Sequence, residues 1–249
     1  MKRIALLISN PGETGDEDYA NGVYRDIQNY TAFLQEPIGG YWEENAIYHL
    51  DRPTKSKLAK YLSAISEYDY SLIIFTGHGG YDIEKDTTIL QLQQGHDIDS
   101  NMLHGITKRE TLIIDACRVF PTEKSLSESF SRIARANPPM DPTRCLELYN
   151  QRIGRCLPAT VTMFSCSIGE TVDDDDNIGG LYSHHLIRCA RRWALDKAPD
   201  ITDETGYILS VVAAHKLSAE KVVPESAGDQ NPRIRKPRTE PYFPFAVVA

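Results

Sequence analysis

"SLIIFTGHGGYD", residues 71–82, opens on an apolar run and closes on a histidine set among glycines. A continuous apolar run marks a strand covered on both faces. A second run, "TLIIDACR" (111–118), carries a cysteine near its end. Further runs lie at "RIALLIS" (3–9), "AIYHL" (46–50) and "ATVTMFSC" (159–166). Helical spacing separates them: Val23, Ile27, Tyr30 and Leu34 form one stripe, and Leu58, Tyr61, Leu62 and Ile65 another behind a capping Thr54. Two more helices are predicted over 180–196 and 205–221. "TTILQLQ" (87–93) alternates and predicts a small antiparallel excursion. The Pro-rich tail excludes a helix, and its last six residues predict an edge strand. Strand–helix alternation of this kind predicts an α/β fold, a mostly parallel sheet with helices on both faces.

Composition narrows the function. The chain has 249 residues, 41% of them hydrophobic, enough for one large domain with a full core. A formal net charge of −8 argues against broad nucleic-acid binding. No apolar run approaches the ~18 residues of a membrane span. "MKRIALLIS" is too short in its apolar part for a signal peptide. Five cysteines without CxxC pairing, and no such signal, predict free thiols in a reducing cytoplasm.

In an open α/β sheet, ligands bind beyond the carboxyl ends of the strands. His78 and Cys117 lie at those ends of successive core strands. A thiol beside an imidazole is a nucleophile with its proton shuttle. Gly77, Gly79 and Gly80 let substrate approach the backbone. The N–H groups near Gly79 and Cys117 form a candidate oxyanion hole. Competing motifs are missing: no GxSxG, no GxxxxGK[ST], no GxGxxG, and no Cys-x5-Arg phosphatase loop.

Strand–"TGHGG" followed by strand–"DACR" resembles the caspase-like cysteine peptidases, the group of caspases, metacaspases and their bacterial relatives. "SCSIGETVDDDDNIGGLYSHHLI" (165–187) and the tail "QNPRIRKPRTEPYFPF" (230–245) extend the likeness over most of the chain except about 118–158. The resemblance implies a caspase-like sandwich with a sheet of about six strands, and an endopeptidase with a His78–Cys117 dyad. It also implies that Asp115, two residues before the nucleophile, lines the pocket for the side chain on the acyl side of the scissile bond. A carboxylate there favours Arg or Lys and repels an acid. Ser165, Ser167 and Glu170 are assigned to the same wall, with Asp173, Asp174, Asp175 and Asp176 as a second negative group or a cation site. His184, His185 and the remaining cysteines are read as structural.

Residues 118–158 carry seven Lys/Arg against four Asp/Glu and are read as a helical insertion, a candidate for self-cleavage. The resemblance also implies a regulated defence or cell-death effector: small bacterial relatives often belong to defence systems in which a partner, sometimes a TIR-domain enzyme making a nucleotide signal, triggers them. Two activators stay open: an anionic nucleotide of the cyclic ADP-ribose type at Arg233, Arg235, Lys236 and Arg238, or Ca2+ at 173–176. The chemistry itself needs no cofactor. The alternative reading is a catalytically silent ligand-binding or interaction module that keeps the fold alone.

Overall fold

The structure, a computed structural model, describes residues 1–119, 140–202 and 205–249. Its centre is built from β1 (Arg3–Asn10), β2 (Ile47–Asp51), β3 (Tyr70–Gly77), β7 (Arg109–Asp115) and β8 (Ala159–Phe164), all parallel. The short β12 (Arg233–Arg235) closes one edge antiparallel to β8. The order is β12-β8-β7-β3-β1-β2, a six-stranded, mostly parallel sheet.

Strand periodicity sends alternate residues to two separate cores. Ala5, Leu7, Leu72, Ile74 and Ile113 face one cluster, with Ile4, Leu6, Ile73, Phe75 and Leu112 on the other. The first is covered by α1 (Gly22–Gln35), α3 (Pro142–Arg155), α4 (Leu181–Lys197) and α5 (Val211–Glu225). The second is covered by α2 (Lys55–Ile65) and by a small antiparallel sheet of β4 (Gly79–Asp82), β5 (Thr87–Gln91) and β6 (Asp97–Asp99). Each such buried Leu, Ile or Phe stabilises by about 1.5–3 kcal/mol, which outweighs surface ion pairs at ~0–1 kcal/mol each. The sheet therefore sets the frame on which the loops are hung. Among the described residues, no helix is long and apolar enough to cross a membrane.

Two expectations are corrected. The last helix starts at Val211, not near 205, because Ser210 caps it by accepting from Ala213 N (3.2 Å). The preceding residues form β11 (Tyr207–Ser210) instead. The chain end forms β13 (Pro244–Val248), which pairs antiparallel with β11 rather than joining the edge of the central sheet. All five residues of β13 are buried, so apolar burial and not edge pairing holds the terminus. Of the helical insertion expected over 118–158, the described part holds α3. Within α3, Cys145, Tyr149 and Ile153 are buried in the first core, where Tyr149 meets Trp42 edge-on at 5.9 Å. Residues 120–139, with Lys124, Arg132 and Arg135, lie outside the described residues.

Candidate active site

The register of the two central strands places the reactive side chains. Thr76 on β3 pairs with Asp115 on β7. Two residues further along each chain come His78 and Cys117, just beyond the carboxyl ends of adjacent parallel strands. Gly77 makes the approach: its φ is +143°, and a Cβ there would lie 2.3 Å from Asn10 O. Only glycine lets β3 pass so close to the β1 loop. His78 is then held on both sides. Its N–H donates to Asn10 O (3.2 Å), and its carbonyl accepts from Gln91 N (3.0 Å). The ring Nε2 lies 3.1 Å from Pro11 O. A carbonyl only accepts, so Nε2 carries the hydrogen and Nδ1 is left with the lone pair.

Cys117 is a free, half-buried thiol. Burial pushes its pKa up; the Val172 N–H, which donates to Sγ at 3.4 Å, works the other way, and the charges of Asp115 and Asp173 add to the rise. The resting sulfur is thus a thiol that needs a base. Gly79 backs onto this residue: a Cβ at Gly79 would come 3.0 Å from Cys117 O. Tyr81 N donates to Val119 O (3.0 Å), so the strand after the histidine runs along the segment after the cysteine. Arg118, 3% exposed, staples that segment down. Its Nε donates to Thr88 Oγ1 (3.0 Å), its NH1 to Cys166 O (3.1 Å), and its guanidinium lies 4.3 Å over Phe164.

Close to Cys117 lies a cluster of carboxyl groups. Asp115 is 3% exposed and accepts from Ser183 N (3.2 Å) and Ser183 Oγ (2.5 Å) at one oxygen. The other oxygen, Oδ1, is buried without a hydrogen-bond partner. The Ser165 hydroxyl is near enough to favour ionisation of Asp115, but it accepts from Ala116 N (3.3 Å) and lies outside bonding geometry to the free oxygen. Asp26 on α1 accepts from Thr76 Oγ1 (2.8 Å) and Gly180 N (3.0 Å). Asp174, in the short β9 (Asp174–Asp175), accepts from Gly22 N at 3.1 Å, the start of α1. The partner of β9 is β10 (Gly179–Gly180). A Cβ at Gly180 would lie 2.8 Å from Asp115 Oδ2 and 3.2 Å from Asp26 Oδ2, so the two carboxylates meet at that glycine. Burial raises all three pKa values. Asp26 goes well above its ordinary value, Asp115 goes up, and Asp174 rises to about 6.

The other expected residues fall elsewhere. Glu170 accepts from Ser167 N (2.9 Å) and from Asn231 N and Nδ2 (2.7 and 2.9 Å), so it ties the loop after β8 to the approach to β12. Ser167 donates to Asn231 O (2.9 Å) and accepts from Arg233 Nε (2.6 Å). Neither is joined to Asp115 by a hydrogen bond. Asp175 Oδ1 accepts from Asn177 N (2.8 Å) and Ile178 N (3.1 Å), turning the loop, and Asp173 N donates to Gln230 Oε1 (3.2 Å). Among the described residues, no group of three or more His, Cys, Asp or Glu is arranged for a metal ion. Arg233, Arg235, Lys236 and Arg238 are exposed but do not converge. Lys236 donates to Tyr242 OH (2.7 Å), and Arg235 lies 5.5 Å over Phe164. His185 is buried against Glu225 (2.8 Å), and Cys145 is buried in α3 facing Ala249 O (3.7 Å).

Asp26, Thr76, Ser183 and the Pro11 carbonyl escaped sequence reasoning. One signal pointed to Asp26: it falls on the apolar stripe of α1, where Val23, Ile27 and Tyr30 are buried and an acid is out of place.

The family model of the caspase domain matches residues 2–243. The crystal structure of caspase-1 from Spodoptera frugiperda is similar in fold, with a TM-score of 0.57 and 13% identity, over 94% of this chain and 86% of that one. No curated protein matches the sequence.

Proposed function

We propose, for a chain that belongs to the caspase-domain family and is thereby a cysteine peptidase, that His78 and Cys117 are its dyad and that it cleaves after arginine or lysine. The observation that supports this reading is the β3–β7 register: Thr76 pairs with Asp115, and His78 and Cys117 each follow two residues later.

The chemistry follows from the atoms in place. With the Nε2 hydrogen held on Pro11 O, His78 Nδ1 accepts the Cys117 proton. The thiolate attacks the scissile carbonyl. Charge develops on the carbonyl oxygen, for which the N–H groups of Gly79 and Cys117 are the donors assigned; one such donor is typically worth about 3 kcal/mol. His78 then protonates the leaving amine, the acyl-enzyme forms, and water activated by the same ring releases it. Family members need no cofactor for this sequence of steps.

Specificity rests on Asp115, assisted by Asp26 and Asp174. A carboxylate with one unpartnered oxygen accepts a guanidinium or ammonium well, whereas an acidic side chain would add a fourth buried negative group. Ser165 belongs to this wall. Ser167 and Glu170 serve instead to anchor it. The test is a fluorogenic series differing only in the residue before the scissile bond. Cleavage of Arg and Lys peptides, silent in Cys117→Ala, supports the reading; preference for an Asp peptide rejects it.

A peptidase with so common a target is held inactive until a signal arrives, and a TIR-linked defence or cell-death effector fits that need. Of the two activators, the anionic nucleotide has three exposed arginines on and after β12, while Ca2+ lacks a ligand set among the described residues. The nucleotide is the one carried forward. A thermal shift with a cyclic ADP-ribose-type nucleotide, lost in Arg233→Ala/Arg235→Ala, supports it; no shift with any anionic nucleotide removes it. Self-cleavage is not placed at Arg118, Arg144, Arg152 or Arg155, because Arg118 is buried and the others sit in a regular helix that cannot extend into a cleft.

A further inference from the structure

Three carboxyl groups cluster near Cys117, where the pocket is assigned, and each comes from a different part of the chain. Asp26 belongs to α1, Asp115 to the end of β7 and Asp174 to β9. The groups facing them are neutral or acidic. Thr76 comes from β3, Gly180 and Ser183 from the start of α4, and Gly22 and Tyr30 from α1. The buried phenols of Tyr30 and Tyr182, the Cys117 thiol and the neighbouring Asp175 and Asp176 complete the surroundings. Among the described residues, no Lys, Arg or His comes within ion-pairing distance of Asp26, Asp115 or Asp174.

Five neutral donors serve the three groups: two on Asp26, two on one oxygen of Asp115 and one on Asp174. Three like charges buried this closely, without a counter-ion, cannot all persist, because burial and mutual repulsion both disfavour the ionised forms. Yet Asp115 Oδ1 is left without a partner at full burial. That oxygen is where an incoming cation completes the set.

We propose that this pocket exchanges a proton for its guest: before substrate arrives the three carboxyl groups hold at least one proton between them, and a guanidinium or ammonium releases it on binding. The proposal rests on the assignment of the pocket to a cationic side chain and adds to it how that recognition is regulated. The exchange balances. A neutral carboxyl group and a cation become a carboxylate–cation pair, and the proton passes to solvent. The fully buried Asp26 and Asp115 share the charge, and the upward shift of Asp174 to about 6 places the release within reach of ordinary buffers. Two consequences follow. Affinity for a cationic side chain rises with pH, by up to about tenfold per unit for one released proton, and levels off once the acids ionise without help. A neutral side chain of similar length gains nothing from the same change. The enzyme is thereby weakened on its own substrates by acidification, with no separate sensor.

The test is calorimetry on Cys117→Ala, in which the thiol proton is removed from the balance. An arginine peptide and its norleucine analogue are titrated at pH 6.0 in two buffers of very different ionisation enthalpy. The analogue cancels any proton moved by His78. Release of about one proton with arginine and none with norleucine is the expected result, reduced in Asp174→Asn. Equal enthalpies in both buffers, with arginine still bound, overturn the exchange but leave the cationic pocket standing. Binding of an aspartate peptide in place of arginine overturns the pocket assignment itself. The active enzyme gives a second reading that does not depend on the variants. The ratio of kcat/KM for arginine over norleucine substrates should climb between pH 5 and 7 and then level; a flat ratio overturns the proposal.

Discussion

Glu110 and Asp115 bound the same strand, β7, and both carboxyl groups are buried, yet the fold treats them in opposite ways. At the amino end, Glu110 has both oxygens engaged. Gly105 N (2.8 Å) and Thr160 Oγ1 (3.2 Å) serve one, while Ile106 N (2.9 Å) and Ser71 Oγ (3.4 Å) serve the other. At the carboxyl end, Asp115 has one oxygen doubly served and one left alone. A polar group that only supports a fold has its bonds completed by the fold. One that awaits a guest does not. The side of a parallel sheet on which a buried acid sits, and whether its valence is filled, therefore separates support from recognition.

That contrast breaks most readily at Asp115. Asp115→Asn is expected to lower kcat/KM on an arginine peptide by about 100-fold or more, since a buried charge pair loses one member. Its melting temperature should hold or rise, because a buried charge is gone. Peptide kinetics and a thermal melt check both halves. Glu110→Ala is expected to do the reverse. It strands several donors and costs roughly 1–3 kcal/mol, lowering the melting temperature by several degrees. kcat/KM per folded molecule should stay near wild type; a large catalytic loss there would erase the distinction.

Two pH effects sharpen it further. The pKa of Asp174 is raised to about 6 in the folded chain, above the ~3.9 of an unfolded aspartate. The folded state thus holds the proton more tightly, and this contribution is present below pH ~4 and lost as pH rises through 6. Burial drives the opposite case at His215, whose pKa is lowered to about 4 while Tyr182 OH and Nδ1 share a 2.8 Å hydrogen bond. Its contribution is present above pH ~6.5 and lost as pH falls toward 4. Denaturant melts from pH 4 to 7 should therefore become more favourable at high pH in Asp174→Asn, by about 1–3 kcal/mol at pH 7 relative to pH 4. His215→Gln should flatten the acid side of the curve by a comparable amount. The same pH slope in either variant as in wild type would remove that residue from the account.

The sequence carried the sheet, because buried strands follow from local patterns. Apolar runs specify buried strands, and their alternation with helical stretches specifies a mostly parallel sheet. It carried the caspase-like peptidase reading through the two motifs that end β3 and β7. It misplaced what depends on distant partners. The terminal residues form a strand, as expected, but their partner is β11, which no local pattern reveals. Ser167 and Glu170 read as pocket residues because they follow β8 closely, while their hydrogen bonds run to Asn231 and Arg233. Asp26 was passed over because no local rule links α1 to the end of β7, although an acid on an apolar stripe was visible.

Composition and periodicity by themselves settled which segments are buried strands, and that two of them end in a histidine and a cysteine. Those are properties of chain neighbours, governed by side-chain period and backbone sterics. The gathering of Asp26, Asp115 and Asp174 around Gly180 was decided by tertiary structure alone. Whether a buried carboxylate is neutralised, bonded or left waiting depends on which donors folding brings within 3 Å, and those donors come from segments that the sequence keeps far apart.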